Sequence, residues 1–450
     1  MVMTNAEAIE ATVETWKANN TERVRLRRFV RYSRGQQKLP WLPDNVEGEY
    51  RDIALKSASN WLDLVVRATA QGLQVDAYGT PEGPSDLWGT VWQANGMDAR
   101  QHALHRAVLT LGYCGLIVFP SADDGGVWMR PEAATKLSMV FDDPSDEFPL
   151  RTVREVGKDR FELYDDEGRY TVVGKGSGAT VDFAEHDAGV CPVVQMRSSI
   201  DLLGTPMGEI EPVIPIQDRI VDATFTLQMV AKYGAFPQRW IAGIDTTKPL
   251  VDANGDVLTD GQGNPLFPTI KAYVDHILTA VDADTKFGQF AAADLNQYVA
   301  ALEAHIRHLA AITQTPPHYL LGSLVNLSAE ALAAAESGLQ RKIKEKREVL
   351  GEGYEQAFRL AGAVLGREDE AAATSSQVHW QDVESRSLAQ TSDALLKLSQ
   401  LGVPLQVLLK MIPGFTQQDV DEAIDVIERG GGLTQLLDQL ANAQQPAPVA

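Results

Sequence analysis

GEIEPVIPIQDRIVDATFTLQMVAKYG, residues 208–234, decides how this chain is built. Ile216, Ile220, Ala223, Leu227 and Val230 recur at helical spacing. Pro212 and Pro215 suit the first turns, where a missing amide hydrogen leaves no bond unmade. Some 20 helical residues span about 30 Å, so the stretch predicts one long rod. Beyond it, residues 236–290 return to short β-prone runs and turns. A second rod follows over 291–315, with Leu295, Val299, Leu302, Ile306 and Leu309 on one stripe. Pro316 and Pro317 stop it. Two rods with a small β cap between them, polar over much of both helices, have no core of their own. They need neighbours, and copies of the chain set side by side around an axis would supply them.

Upstream, the pattern is mixed. The first 40 residues read as helix, and Ala54–Ala70 carries Leu55, Trp61, Leu62, Leu64, Val65 and Ala68 at helical spacing. LQVDAYG, residues 73–79, alternates like a strand. Asp98 is placed to cap a helix that Gly112 breaks, and Gly115–Phe119 is apolar enough for a buried strand. From Val127 to Val194, β-prone runs alternate with Gly and Asp turns, so the first 200 residues form an α+β unit. Downstream, HYLLGSLVNLS, residues 318–328, reads as a connecting loop. Ser328 opens a long third helix reaching about Leu365, whose composition strongly favours helix. Residues 367–377 read as a linker, and Glu384–Leu440 as helical, with breaks at Pro404 and Pro413.

At 450 residues the chain is long enough for two or three domains. No stretch approaches the roughly 20 apolar residues a membrane-spanning helix needs. The polar, acidic N-terminus lacks the pattern of a secretory signal. Cys114 and Cys191 sit in apolar surroundings and read as buried thiols rather than a disulfide. The formal net charge of −21 argues against a protein that wraps or grips DNA through a basic groove. It is compatible with one that encloses DNA while repelling it, and equally with any acidic cytoplasmic protein, so composition alone does not decide. Against that background, Arg23, Arg25, Arg27, Arg28, Arg31, Arg34 and Lys38 follow one another with no acid before Pro43. They form a solvated or inter-subunit face, or else a patch that touches nucleic acid; the first reading is the plainer. Arg341, Lys342, Lys344, Lys346 and Arg347 pose the same choice on the third helix: a solvated or subunit-bridging face, or a basic ring turned to DNA.

Motifs for chemistry are missing. No Gly-rich loop closes with Gly-Lys-Ser/Thr, so a nucleotide-driven motor is excluded, and GKGSG at 174–178 is a turn. Asp252, Asn254 and Asp256 have the spacing of a calcium loop, but Val257 stands where Gly is needed and Gly263 where Glu is needed. Two Asn/Asp-Gly turns explain that run better. His102 with His105 and His305 with His308 lack the Glu of a helical zinc motif and read as surface histidines. No nucleophile elbow is present, and Asp142 with Asp143 before Pro144 is an acidic turn. The expectation is therefore no enzyme, no catalytic residue, no metal and no cofactor. An enzyme built on the N-terminal α+β unit and a non-viral oligomeric ring scaffold are the alternatives.

Residues 204–244 carry a resemblance. Gly204/Gly208-Glu209-Ile210, Gln217-Asp218 and Pro237-Gln238-Arg239 resemble the start, middle and end of the first stem helix in portal proteins of long-tailed bacteriophages, especially those of actinobacterial hosts. The usual Ser of that start is replaced by Met207 or Gly208. Asn60–Tyr78, Trp92–Phe119 and Ile312–Leu360 are similar to the same family, and the resemblance spans about residues 50–385.

It implies an α+β portal fold with wing, helical stem, small β-containing clip and helical crown. The wing would be 1–206, the stem helices 207–235 and 291–317, and the clip 236–290. The tunnel loop would be 318–328, the long wing helix 329–370, and the crown and tail 371–450. The tunnel loop would then be His318, Tyr319, Leu320, Leu321, Gly322, Ser323, Leu324, Val325, Asn326, Leu327 and Ser328. Its uncharged leucines suit a low-friction constriction, and some would simply pack beneath the wing. Asp252, Asn254, Asp256 and Asp260 would lie where the clip docks. The partners implied are further copies in a ring of about twelve, the large terminase subunit, head-completion adaptors, the major capsid protein and scaffold. Double-stranded DNA would pass through without sequence readout. The implied location is the portal vertex of a virion, assembled in the host cytoplasm, with no membrane.

Overall fold

The computed structural model describes residues 2–44, 48–80, 83–121, 125–143, 145–174, 176–200, 206–234, 239–242, 249–252, 254–267, 286–289, 294–322, 329–381, 395–412 and 417–428. The N-terminal helical region is two helices, α1 (Asn5–Ala18) and α2 (Asn20–Ser33). Thr4 and Glu7 close a capping box at the start of α1: the Thr4 hydroxyl accepts from the Glu7 amide at 3.4 Å. The Glu7 carboxylate in turn accepts from the Thr4 amide at 2.8 Å. Asn19 breaks the run, and across the break the Arg23 guanidinium lies 3.7 Å over the Trp16 ring. The helix expected over Ala54–Ala70 is also two, α3 (Gly48–Ser57) and α4 (Trp61–Ala70). Asn60 explains the division. Its side-chain carbonyl accepts from the Asp63 amide at 3.2 Å and its amide donates to the Ser33 carbonyl at 2.7 Å.

Strand β1 (Val75–Thr80) pairs with the two-residue β2 (Gly83–Pro84), and a π-helical turn, Trp88–Gln93, leads to α5 (Met97–Leu111). The residue before α5 is Gly96 at φ 61°, not Asp98. The Asp98 carboxylate accepts instead from the Trp92 indole at 2.8 Å. Gly112 at φ 94° ends the helix as expected. Strand β3 (Tyr113–Pro120), which contains the expected Gly115–Phe119, is buried along nearly all its length because it lies between two strands. Its partners are β4 (Val127–Ala133) and, later, β10 (Val193–Arg197), both antiparallel. Between these comes a five-stranded meander: β5 (Leu137–Val140), β6 (Arg151–Gly157), β7 (Arg160–Tyr164), β8 (Gly168–Val173) and β9 (Thr180–Glu185). Val153, Leu163 and Tyr170 of its inner face pack on Ala8 and Ala11 of α1. Gly174, at φ 103°, makes the turn between β8 and β9.

Helix α6 (Ile214–Gly234) starts later than expected, after a 3₁₀ turn at Glu211–Val213. The short strands β11 (Arg239–Ala242) and β12 (Lys286–Gln289) pair antiparallel. Helix α7 (Leu295–Thr313) is followed by the five-residue α8 (Pro317–Leu321), then by α9 (Ala329–Val364). Gly366 at φ 67° separates α9 from α10 (Glu368–Ala371). The segment read as a linker contains α10 and the first residue of β13 (Gln377–Trp380), which pairs antiparallel with β1 across 300 residues of chain. Helices at Leu405–Lys410 and Gln417–Glu428 pack on each other through Leu409, Val420 and Ala423. No helix among the described residues is long and apolar enough to cross a membrane.

Two compact units are present. One comprises Met1–Gln37, Asn60–Gln217 and Arg307–Ala450; the other comprises Lys38–Ser59 and Asp218–Ile306. The first 206 residues are thus not one block, since 38–59 belong with the second unit. There the Glu49 carboxylate pairs with Lys232, and Tyr50 stacks on Tyr233 at 5.6 Å.

The core of the first unit is aromatic. Trp92, Tyr78, Tyr354 and Phe358 are fully buried, and Tyr78 stacks on Phe358 at 3.9 Å. His105, expected at the surface, is fully buried among them. Leu73 O, 3.1 Å from Nδ1, can only accept, so Nδ1 carries the proton. Nε2 then accepts from the Tyr354 hydroxyl at 2.9 Å. Burial lowers the His105 pKa to about 3. The unfolded chain takes up this proton near pH 6.5 while the folded chain refuses it. Stability is therefore expected to fall as pH drops from about 6.5 toward 3. His105→Gln should flatten that slope in urea titrations run across the range, while costing stability at neutral pH.

Candidate functional site

The chain between the two rods and the long helix is held by one buried ion pair. α7 ends because Gln314 adopts φ 53°. The Thr313 hydroxyl bonds back to Leu309 O at 2.8 Å and to the Thr315 hydroxyl at 2.9 Å. Into this end comes Lys342 of α9, whose ammonium donates to Thr313 O at 2.8 Å and to the Glu209 carboxylate at 3.2 Å. Thr69 of α4 donates to the same carboxylate oxygen at 3.0 Å. Lys342 and Glu209 are only 11% and 8% exposed. Burial lowers the Lys342 pKa and the neighbouring Glu209 charge opposes that shift. Four segments therefore meet at one ion pair.

The Gly208-Glu209-Ile210 motif has a physical basis here. A Cβ on Gly208 would stand 2.5 Å from Thr110 O, and one on Gly112 would stand 2.7 Å from Pro206 O. Only glycine lets these backbones approach so closely. The Glu209 amide then reaches Leu109 O at 2.7 Å, and Ile210 is fully buried. Gln217 is buried, with its side-chain carbonyl accepting from the Trp61 amide at 3.3 Å. Pro237 and Gln238 lie outside the described residues.

The five basic residues of the long helix do not share one face. Arg341 and Lys344 point outward. Lys342, Lys346 and Arg347, read as possibly DNA-facing, turn into the protein. Lys346 donates to Ser198 O at 2.7 Å. Arg347 donates to Gly72 O at 2.7 Å and to Gln381 O at 2.9 Å. Helical geometry is the cause: buried Leu339, Ile343 and Leu350 mark the inner face, and 342, 346 and 347 flank it. Their charges go to backbone carbonyls and to Glu209, and are not available to phosphate.

His318, Tyr319, Leu320 and Leu321 belong to α8, not to a loop, since Pro317 occupies its first position. Leu320 is buried and Tyr319 exposed. The Tyr319 hydroxyl donates to Glu336 at 3.4 Å, and His318 stands 3.8 Å from the same carboxylate. Gly322 at φ 65° caps α8. Ser323, Leu324, Val325, Asn326, Leu327 and Ser328 lie outside the described residues.

Two successive turns of the same construction lie within the described residues 249–252 and 254–267. Asp252 Oδ1 accepts from the amides of Asn254 and Asp256, each at 2.9 Å. Asp260 Oδ1 accepts from those of Gln262 and Asn264, each at 2.9 Å. Gly255 and Gly263 take φ 92° and 86°. Both turns are exposed and both expose apolar flanks, including Val251 and Phe267. Backbone amides hold the Asp260 pKa below its usual value.

Among the described residues, no three His, Cys, Asp or Glu side chains are grouped to hold a metal. Cys114 and Cys191 are buried free thiols; burial pushes the Cys191 thiol up to about 12.

The family described as phage portal protein, SPP1 Gp6-like, matches this chain over residues 78–431. The portal proteins of Mycobacterium phages L5 and D29 are each 33% identical to it over 219 residues. That stretch is 47% of this chain and 43% of each relative, so the match spans less than half of their length. Among solved structures, the neck of an empty gene transfer agent particle, computed with C6 symmetry, has a TM-score of 0.45 and 13% identity. It covers 86% of this chain and 99% of that one. The neck of the native particle, computed with C12 symmetry, has a TM-score of 0.45 and 12% identity, covering 84% and 94%.

Proposed function

We propose, from the premise that this chain belongs to the SPP1 Gp6-like family of phage portal proteins, that its copies close into a ring at one vertex of a virion. Through that ring DNA enters during packaging and leaves at ejection. One structural observation supports this reading beyond family membership. From Asp222 to His305, no described residue is buried. Tyr233, Leu258, Leu266, Phe267, Leu295 and Val299 are all exposed along two helices and a small β cap. Such exposed apolar surface suits packing against other copies of the same segment.

In this reading residues 214–234 and 295–313 are the stem and the β-containing part between them is the clip. The turns at Asp252, Asn254, Asp256 and Asp260 face the large terminase subunit during packaging and head-completion adaptors afterward. The wing, built on the first unit, meets capsid protein and scaffold. Residues 318–328, apart from the buried Leu320, border the passage, with Arg341 and Lys344 the two cations of the long helix still able to face DNA. Assembly takes place in the host cytoplasm. The ring is a conduit that encloses the passing DNA, and the chain performs no catalysis.

In this reading Leu324→Asp and Val325→Asp place charge in the passage. Rings are expected to form normally while packaging or DNA retention falls; unchanged phage yield with both would dismiss the passage assignment. Deleting residues 250–265 is expected to spare the ring and abolish binding of terminase or adaptor. Docking that survives the deletion would place those partners elsewhere.

A further inference from the structure

The seven basic residues between Arg23 and Lys38 sort into two sets. Two are used within the protein: Arg23 is buried over Trp16, and Arg25 binds Glu22 at 2.8 Å and Glu211 at 2.7 Å. The other five, Arg27, Arg28, Arg31, Arg34 and Lys38, are exposed, and Arg27, Arg28 and Arg31 lie on one face of α2, which ends at Ser33. None forms an ion pair among the described residues; only Arg28 has a ring contact, 5.6 Å from Tyr32. Arg27 and Arg28 each repel Arg31 at four- and three-residue spacing, which weakens an isolated helix. This unpaired cationic face belongs to a chain of net charge −21.

One residue away, α1 presents the opposite sign. Glu7, Glu10 and Glu14 are exposed on one stripe of that helix. Glu7 closes its own capping box, and Glu14 has a long 3.5 Å contact to Arg151 while its side chain stays 69% exposed. An acidic helix face followed directly by a basic one suits a partner bearing the same pair. A second copy of this chain is such a partner. Copies of net charge −21 repel one another, and a head-to-tail contact between unlike faces is how they can adjoin. A DNA duplex fits less well, because a chain of net charge −21 repels its phosphates as a whole.

We infer that the basic face of α2 docks on the acidic face of α1 in the neighbouring copy, forming an electrostatic contact between subunits. This rests on the proposed ring. Sedimentation of the full chain at moderate salt tests it, with Arg27→Glu/Arg28→Glu/Arg31→Glu as one variant, Glu10→Lys/Glu14→Lys as a second, and all five together as a third. Circular dichroism melts check folding, and the neutral Arg27→Gln/Arg28→Gln/Arg31→Gln removes attraction without adding repulsion.

Each one-sided reversal is expected to convert rings to monomers, the neutral variant to raise sensitivity to salt, and the combined variant to recover rings. Rings in every variant would overturn the contact and leave the proposed function intact. Folded one-sided variants that lose rings, with no recovery in the combined variant, would show that these two faces do not meet. A wild-type chain that forms no ring would overturn the proposed function and this contact with it. Wild-type rings that bind a short DNA duplex, with binding but not assembly lost on reversing the arginines, would reassign the face to nucleic acid.

Discussion

Lys342→Ala is expected to lower stability by about 3–5 kcal/mol, the usual cost of leaving a buried charge without its partner. The Glu209 carboxylate would keep only the Thr69 hydroxyl, and Thr313 O would lose its donor at the end of α7. Lys342→Met with Glu209→Gln should lose much less, because neither charge is then stranded. Denaturant titrations of the two variants against wild type check this. Equal losses would mean that packing around the lysine stem, not the ion pair, carries the effect. Because Lys342 ties α9 to the end of α7 and to Glu209, the single variant should also loosen the connection that spans residues 318–328. A rise in proteolysis between α8 and α9 would report it.

Trp92→Ala is expected to cost about 3–5 kcal/mol as well, by a different route. The indole is fully buried, 5.0 Å from Trp88, 5.2 Å from Tyr354 and 5.9 Å from Phe358, so its loss opens a cavity in the aromatic core. The Asp98 carboxylate loses its indole donor in the same step. Trp41→Ala, at a tryptophan 79% exposed, is the control and should change stability little. Near-ultraviolet circular dichroism and urea midpoints would separate the two variants. A Trp92→Ala protein as stable as the control would mean that the core packing described above is wrong.

Where a residue's role follows from its immediate neighbours, the sequence was sufficient. The rods at 214–234 and 295–313, the buried strand at Tyr113–Pro120 and the Gly112 stop were legible from periodicity, apolar runs and a single glycine. Strand Gln377–Trp380 was not, because four residues carry almost no period and its partner lies 300 residues away. The division at Asn60 depends on a side chain reaching Ser33, which no local pattern reports.

The candidate site was legible in part. Gly208, Glu209 and Ile210 stood out by resemblance, and the contacts with Thr110 and Lys342 give that motif its reason. Lys342, Lys346 and Arg347 were misjudged because charge alone suggests an outward face. Placing them by angle between Leu339, Ile343 and Leu350 would have turned them inward. His105 was misjudged likewise: a histidine on a helix reads as polar, and only its meeting with Leu73 and Tyr354 makes burial tolerable.

Electron microscopy of the purified full chain, with native mass spectrometry on the same sample, tests the central claim most directly. Closed rings of many copies around a hole wide enough for a DNA duplex are the expected result. A solitary folded chain or a dimer, with no opening at its centre, would contradict it.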